Sequence, residues 1–380
     1  MSANNFELRE MNKNTFKFLA NPYLEWAQNE GIPIHADFGV DMLAAETSLW
    51  PRLGPKCNGA FVHLKGCGEW ATVLLYEIPA AESSTPQQHL FDEIFYVLSG
   101  HGSMVVEMAD GSRNAFEWGP QSLFAPPMNA KFRIFNGSGK EPARIASTTN
   151  LRILMNMFHN EKFFFDNPNA FPEREGRDGF YSGEGEMTSI RPGRHLWETN
   201  FVPDLSTMEL KSWEERGKGS SNIQFLLGES CMGAHVSEMP VGRYKKGHRH
   251  GAGLHIFSVH GSGYSLLWYE EDKEFTRVNW RHGMCFAPPD NMFHQHLNTS
   301  VQPARYLAVG LGSKRYPVVY ERRSGSETAR SDVSIKDGGI QIEYEDQDPR
   351  IHPMWLRELE RTGAKSQMGD IFDESSRAAE

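Results

Sequence analysis

His89–Glu107 reads HLFDEIFYVLSGHGSMVVE, and His250–Trp268 reads HGAGLHIFSVHGSGYSLLW. The second stretch starts 161 residues after the first, and the likeness continues beyond it. Gly100 and Gly102 fall on Gly261 and Gly263. The tetrapeptide FAPP stands at Phe124–Pro127 and again at Phe286–Pro289. Asn136 falls on Asn298, and Pro142-Ala143-Arg144 on Pro303-Ala304-Arg305. Landmarks repeated in one order make the chain a tandem duplication.

Each copy has β character. FYVLSGHGSMVVE is apolar and β-branched around a Gly-x-Gly turn, the signal of a hairpin, and further Gly- and Pro-marked turns separate short strands. The expected architecture is all-β dominated, one small sandwich or barrel per half. Helices are predicted only at the flanks, over Asn21–Glu30 and Met354–Thr362. The expected domains are an N-terminal arm (1–60), a first barrel (61–159), an irregular linker (160–205), a second barrel (206–320) and a C-terminal tail (321–380). The segment Arg322–Asp337 reads as loose, and the acidic run Glu343–Asp348 as a solvated surface.

Composition narrows the function classes. The 380 residues carry 39 Lys+Arg against 49 Asp+Glu, a net charge of −10, which argues against a nucleic-acid partner. No apolar run reaches the roughly 18 residues of a membrane span, and the start shows no signal-peptide core. Cys57, Cys67, Cys231 and Cys285 match no zinc spacing and read as reduced thiols of a cytoplasmic protein.

The fifteen histidines carry the chemistry. The second copy has Gly242-x5-His248-x-His250-x4-His255-x5-Gly261 and later Pro289-x-Asn291-x2-His294-x3-Asn298. The first copy has Gln87, His89 and Phe132 at the places of His248, His250 and His294. Residues i and i+2 of a strand share a face, so His248 and His250 offer two nitrogens to one ion. His294 follows the FAPP turn on a later strand, His255 follows a flexible Gly251-Ala252-Gly253, and His296 is i+2 from His294. Converging imidazoles suit Fe, Mn, Ni, Cu or Zn. His63, His101, His195, His260 and His352 read as ordinary packing or surface histidines.

The two-part pattern G-x5-H-x-H-x3–4-E-x6-G and G-x5-P-x-G-x2-H-x3-N is that of the cupins. The chain resembles a bicupin over Val62–Asn150 and Gln224–Gly312. The resemblance implies two tandem double-stranded β-helix (jelly-roll) barrels, with His248, His250 and His294 as metal ligands. His255 is expected where the family has Glu. The first half keeps His89 and Glu93 but has Gln87 and Phe132, so it is expected to be metal-free, its cavity filled by aromatic packing.

A site without a carboxylate leaves the charge of a divalent ion uncancelled and favours an anionic, chelating substrate. All-histidine iron in bicupins of this length resembles the gentisate, salicylate and hydroxynaphthoate dioxygenases. The leading expectation is therefore an Fe(II) dioxygenase (with Mn, Ni or Zn as alternatives) that combines O2 with an anionic aromatic or enolisable substrate. In those enzymes the iron site lies in the N-terminal barrel; here the intact motif is C-terminal. The alternatives are a redox-neutral lyase, isomerase or decarboxylase, and a non-catalytic ligand-binding bicupin. Arg243, in a basic run with Lys245, Lys246 and Arg249, is the candidate for carboxylate capture. Trp268 and Trp280 are candidates for stacking on a ring, and Gln224 and His235 for supporting the ligands. Bicupins commonly pair, so a homo-oligomer is expected.

Overall fold

In the strand Glu93–Ser99, Phe95 and Val97 turn into one apolar cluster with Phe124, Phe132 and Ile134, while Ile94, Tyr96 and Leu98 turn into another. In Leu254–His260, Ile256 faces a cluster of its own half, and Phe257 and Val259 join Ile94 and Tyr96. The period of two thus gives each strand one face for its barrel and one for the seam between barrels. Both faces are buried, which is why Ile94–Leu98 reads as a continuous apolar run instead of alternating with polar residues. Each large side chain buried here contributes about 1.5–3 kcal/mol.

The computed structural model describes residues 20–67, 70–251, 253–317 and 332–372. In the first half, one sheet runs in the order Ile34–His35, Asn58–Val62, Thr72–Ile78, Ala143–Thr149, Glu93–Ser99, Leu123–Phe124 and Phe201–Val202. A three-stranded sheet, Lys131–Asn136, Gly102–Glu107 and Arg113–Trp118, closes the barrel. The second half repeats the plan. Its larger sheet runs Glu186–Arg191, Arg194–Glu198, Ser221–Leu226, Met232–Met239, Ala304–Leu311, Leu254–His260, Met284–Phe286 and Gly39–Asp41. Its smaller sheet runs Thr276–Arg281, Ser262–Trp268, Phe293–Asn298, Gly247–His248 and Gln341–Ile342. Two tandem jelly-roll barrels, the expected fold class, are what the chain forms.

The boundaries differ from those expected. A boundary at 61 would cut the strand Asn58–Val62, and residues of the arm and the linker are exchanged between barrels. Gly39–Asp41, from the arm, pairs with Met284–Phe286 of the second barrel, and Phe201–Val202, from the linker, pairs with Leu123–Phe124 of the first. Each short strand would otherwise leave an open edge, which the exchanged segment covers. The linker is also more regular than expected: it contains the short helix Glu161–Phe165 and a hairpin, Glu186–Arg191 to Arg194–Glu198.

The repeated landmarks now have physical reasons. Gly100 and Gly261 have φ of +88° and +78°, and a Cβ there would lie 2.7 Å from Ala143 Cα and 2.6 Å from Ala304 Cα. Arg144 donates to the carbonyls of Met42, Leu43 and Ala45 and pairs with Glu77 at 2.7 Å. Arg305 donates to the carbonyls of Leu205 and Met208 and, through Nε, to Glu238 at 2.8 Å. The Gly–Ala contact makes the turn, and the arginine ties down the connecting segment.

The flanking helices occur at Pro22–Asn29, capped by Asn21, and Ile351–Thr362, ended by Gly363 at φ +77°. The helix Leu151–Phe158 was not expected. Much of Arg322–Asp337, read as loose, lies outside the described residues. The acidic run is not simply solvated: Tyr344 is buried, Glu343 pairs with Lys246 at 2.5 Å and Asp346 pairs with Lys336. All four cysteines are free. No helix among the described residues is long and apolar enough to cross a membrane.

Candidate metal centre

His248 ends the two-residue strand Gly247–His248, and antiparallel register sets it opposite His294 on Phe293–Asn298. His250 follows two residues on, as the spacing predicts. The ring centroids of His248 and His294 are 4.2 Å apart, and those of His250 and His294 4.8 Å. One nitrogen from each of His248, His250 and His294 lies within 4.8 Å of the others. Among the described residues they form a group of three that could hold a metal ion.

The second nitrogen of each ring is engaged. Nδ1 lies 3.4 Å from Lys246 O in His248, 3.3 Å from Gly251 O in His250 and 3.1 Å from Met292 O in His294. A backbone carbonyl accepts only from N–H, so Nδ1 carries the proton and Nε2 keeps its lone pair for an ion. Burial, with Arg216 next in size, pushes His248 well below the usual imidazole range. Burial and His250 do the same for His294. Neutral imidazole is the form that binds metal. The donor set, tautomer and protonation all fit a borderline divalent ion.

His255 does not join the group. It is fully buried, and its Nδ1 is 3.3 Å from Cys67 Sγ in the seam between barrels. Leu254 and Ile256 line the cavity, so the residue between them must face the opposite side of the sheet. The residue matching Glu93 is Leu254: Glu93 pairs with Thr149 and Leu254 with Gly310, both 161 residues on. The second barrel thus has an apolar side chain where the first has a carboxylate. The expected alignment had slipped by one residue.

His296 lines the cavity beside the triad, its ring centroid 5.5 Å from that of His294 and its Nδ1 2.7 Å from Ser265 Oγ. Gln224 and His235, cross-strand neighbours, line it as well. Burial pushes His235 and His296 well below the imidazole range, with Arg194 and Lys245 the next causes respectively.

The other expected contacts are corrected. Arg243 turns outward to Asp370, at 3.2 Å, where the C-terminal segment crosses the barrel end. Lys246 and Arg249 pair with Glu343 and Glu270. Trp268 stacks on Phe293, with centroids 5.7 Å apart, and Trp280 is buried with Nε1 donating to Ser265 Oγ. Neither lines the cavity of the triad. That cavity, of about 250 Å³, takes its cations and its indole from elsewhere: Arg194, Arg216, Lys314 and Trp213. The turn Pro192-Gly193, with Gly193 at φ +71°, was the local signal for the hairpin that delivers Arg194. Lys245 is fully buried, Nζ 3.0 Å from Tyr306 OH, and burial drives its amine well below the usual lysine range.

The first barrel shows the same frame filled in. Gln87 bridges to Phe132 as His248 pairs with His294, but its amide donates to Thr85 and to the carbonyls of Arg52 and Leu53. His89 lies 2.7 Å from the Glu93 carboxylate and stacks on Phe91 at 3.7 Å. Glu93 also accepts from Tyr76 OH and Ser147 Oγ, and Phe132 packs against Phe95 and His89. Aromatic packing occupies the space that the second barrel leaves open.

No protein-family model and no curated protein sequence matches the chain. Among solved structures, two mutants of Bacillus subtilis oxalate decarboxylase OxdC are similar. One has 12% identity over 73% of this chain and 78% of that one, with a TM-score of 0.49. The other has 12% identity over 74% and 78%, with a TM-score of 0.48. The chemistry of this chain is therefore read from its own residues, set in a fold of two tandem jelly-roll barrels.

Proposed function

We propose that the chain is a metal-dependent enzyme acting on a small chelating anion, with Fe(II) held by His248, His250 and His294 and O2 as co-substrate. The observation carrying this reading is the cavity lining: three converging imidazoles with Arg194, Arg216 and Lys314, and no carboxylate among the described residues. An ion bound there would supply Lewis acidity and, as iron, O2 chemistry. The chain's own groups do the rest. The guanidinium groups offset the charge of the anion. His296, oriented by Ser265, and Tyr306 present polar atoms to it, while Leu254, Ile256 and Ala308 form a wall that excludes water.

A second reading, a redox-neutral lyase, isomerase or decarboxylase, is favoured by His235 and His296. Both imidazoles line the cavity beside the triad, where they can exchange a proton with a bound anion, and proton transfer needs no oxidant. The test is elemental analysis of protein purified without added metal, then O2 uptake with a panel of hydroxylated aromatic acids, diketones and oxalate. Iron together with stoichiometric O2 consumption upholds the first reading. Full turnover under strict anaerobiosis replaces it with the second. No metal, even after anaerobic reconstitution with Fe(II), overturns both.

A further inference from the structure

The cavity is bounded by both sheets of the second barrel. His248 and His294 belong to the smaller sheet, with His250 two residues beyond the end of Gly247–His248, whereas Arg194, Gln224 and His235 stand on the larger one, and Arg216 ends the turn Glu214–Arg216 that leads into it. Facing sheets lie about 10 Å apart, so these side chains meet across the cavity from opposite walls. Arg216 is 4% exposed and lines the cavity, yet its Nη1 is buried with no hydrogen-bond partner among the described residues. Arg194, 8% exposed, lies flat over Trp213 with 3.6 Å from Cζ to the ring centroid; Arg216 is 5.3 Å from the same ring. Stacking fixes the guanidinium plane of Arg194, whose Nη1 donates to Asn222 Oδ1 at 3.4 Å, and its remaining N–H groups can serve a planar oxyanion. Gln224 Oε1 is a second buried polar atom without a partner on this wall.

Two buried guanidinium groups side by side, one with an orphaned donor, are costly unless an anion completes them. We infer that Arg216 and Arg194 form a carboxylate subsite that is separate from the metal triad, so that the ligand is a small acid whose carboxylate is held by the arginines while other oxygens reach the ion. The second half of this inference rests on the proposed metal centre; the carboxylate subsite does not. Burial lowers both guanidinium groups to about 10, with Arg194 adding to the effect on Arg216, and the carboxylate of Asp332 offsets only part of it at each. The subsite is built by the segment between the barrels, not by the repeated motif, and the cavity of about 250 Å³ limits the ligand to a compact molecule.

The experiment is calorimetric titration of benzoate, a monocarboxylate that chelates poorly, into the full chain. It is run on protein as purified, stripped with a chelator, and reloaded with Mn(II). The expected result is one benzoate per chain in stripped wild type, weakened about tenfold or more in Arg216→Gln and Arg194→Gln. Arg216→Lys keeps the charge but loses the fork, and falls between; it supplies the readout if Arg216→Gln does not fold. Absence of binding to stripped wild type, or equal affinity in the folded arginine variants, overturns the subsite. Binding that appears only with Mn(II) places the carboxylate on the ion, so the subsite falls and the metal reading stands. Arginine-dependent binding by a chain that takes up no metal leaves the subsite standing and removes the metal reading.

Discussion

His294→Phe gives the second barrel the residue of the first, Phe132, and removes one of three nitrogens that lie within 4.8 Å of one another. Four-ligand zinc sites hold their ion with roughly 10–16 kcal/mol, so one ligand is worth about 3 kcal/mol, or about a hundredfold in Kd. At an ion concentration about 1,000 times the wild-type Kd, binding stabilises the native state by about 4 kcal/mol. The variant, then at about 10 times its own Kd, keeps about 1.4 kcal/mol. The difference of about 2.7 kcal/mol corresponds to about 5–10 °C in Tm for a unit of this size. The assay is thermal unfolding of stripped protein with and without Mn(II) or Zn(II). Each protein is compared with its own metal-free form, so packing effects of the phenylalanine cancel. An ion-induced rise in Tm as large in the variant as in wild type would refute the assignment of His294.

Other expectations follow from the corrected positions. Arg305→Ala leaves the carbonyls of Leu205 and Met208 and the Glu238 carboxylate without their donor and should cost about 3–5 kcal/mol in denaturant unfolding; a loss under about 1 kcal/mol would count against the anchoring role. His255, held at about 3 by burial, stays neutral in the folded state while the unfolded chain takes up a proton below about 6.5. Its contribution to stability is therefore complete above about 6.5 and declines as pH falls toward 3, by about 2–3 kcal/mol at pH 4.5. His255→Ile, which copies Ile94, should flatten that acid limb in unfolding midpoints measured from pH 7 to 4.5, and an unchanged slope would contradict the burial argument. Arg243→Ala should leave benzoate affinity unchanged, because the side chain faces Asp370 outside the cavity; a tenfold loss would return it to the site.

Much was legible in the linear chain because it was local or repeated. Gly100 and Gly261, the FAPP turns and the Pro-Ala-Arg triplets recur in order, so the duplication and its barrels needed no long-range information. His248 and His250 share a face by strand periodicity alone. Pairing His294 with them needed only the repeat, since Phe132 takes the same place opposite Gln87. Pro22 and Gly363 marked helix ends by backbone preference. What remained hidden depended on direction and on distance along the chain. In a strand a shift of one residue reverses the face, so taking His255 for Leu254 turned a seam residue into a supposed ligand. The basic run around Arg243 has the composition of an anion site, but the C-terminal segment neutralises it, a contact between residues 127 apart. Arg194, Trp213 and Arg216 lie outside the repeated motif and reach the cavity only when the connecting segment folds back along the larger sheet. Sequence determined which residues can bind an ion, because that is a property of side-chain type and local spacing. Tertiary structure decided which charges face that ion, because charge acts through space and the chain brings distant segments together only on folding.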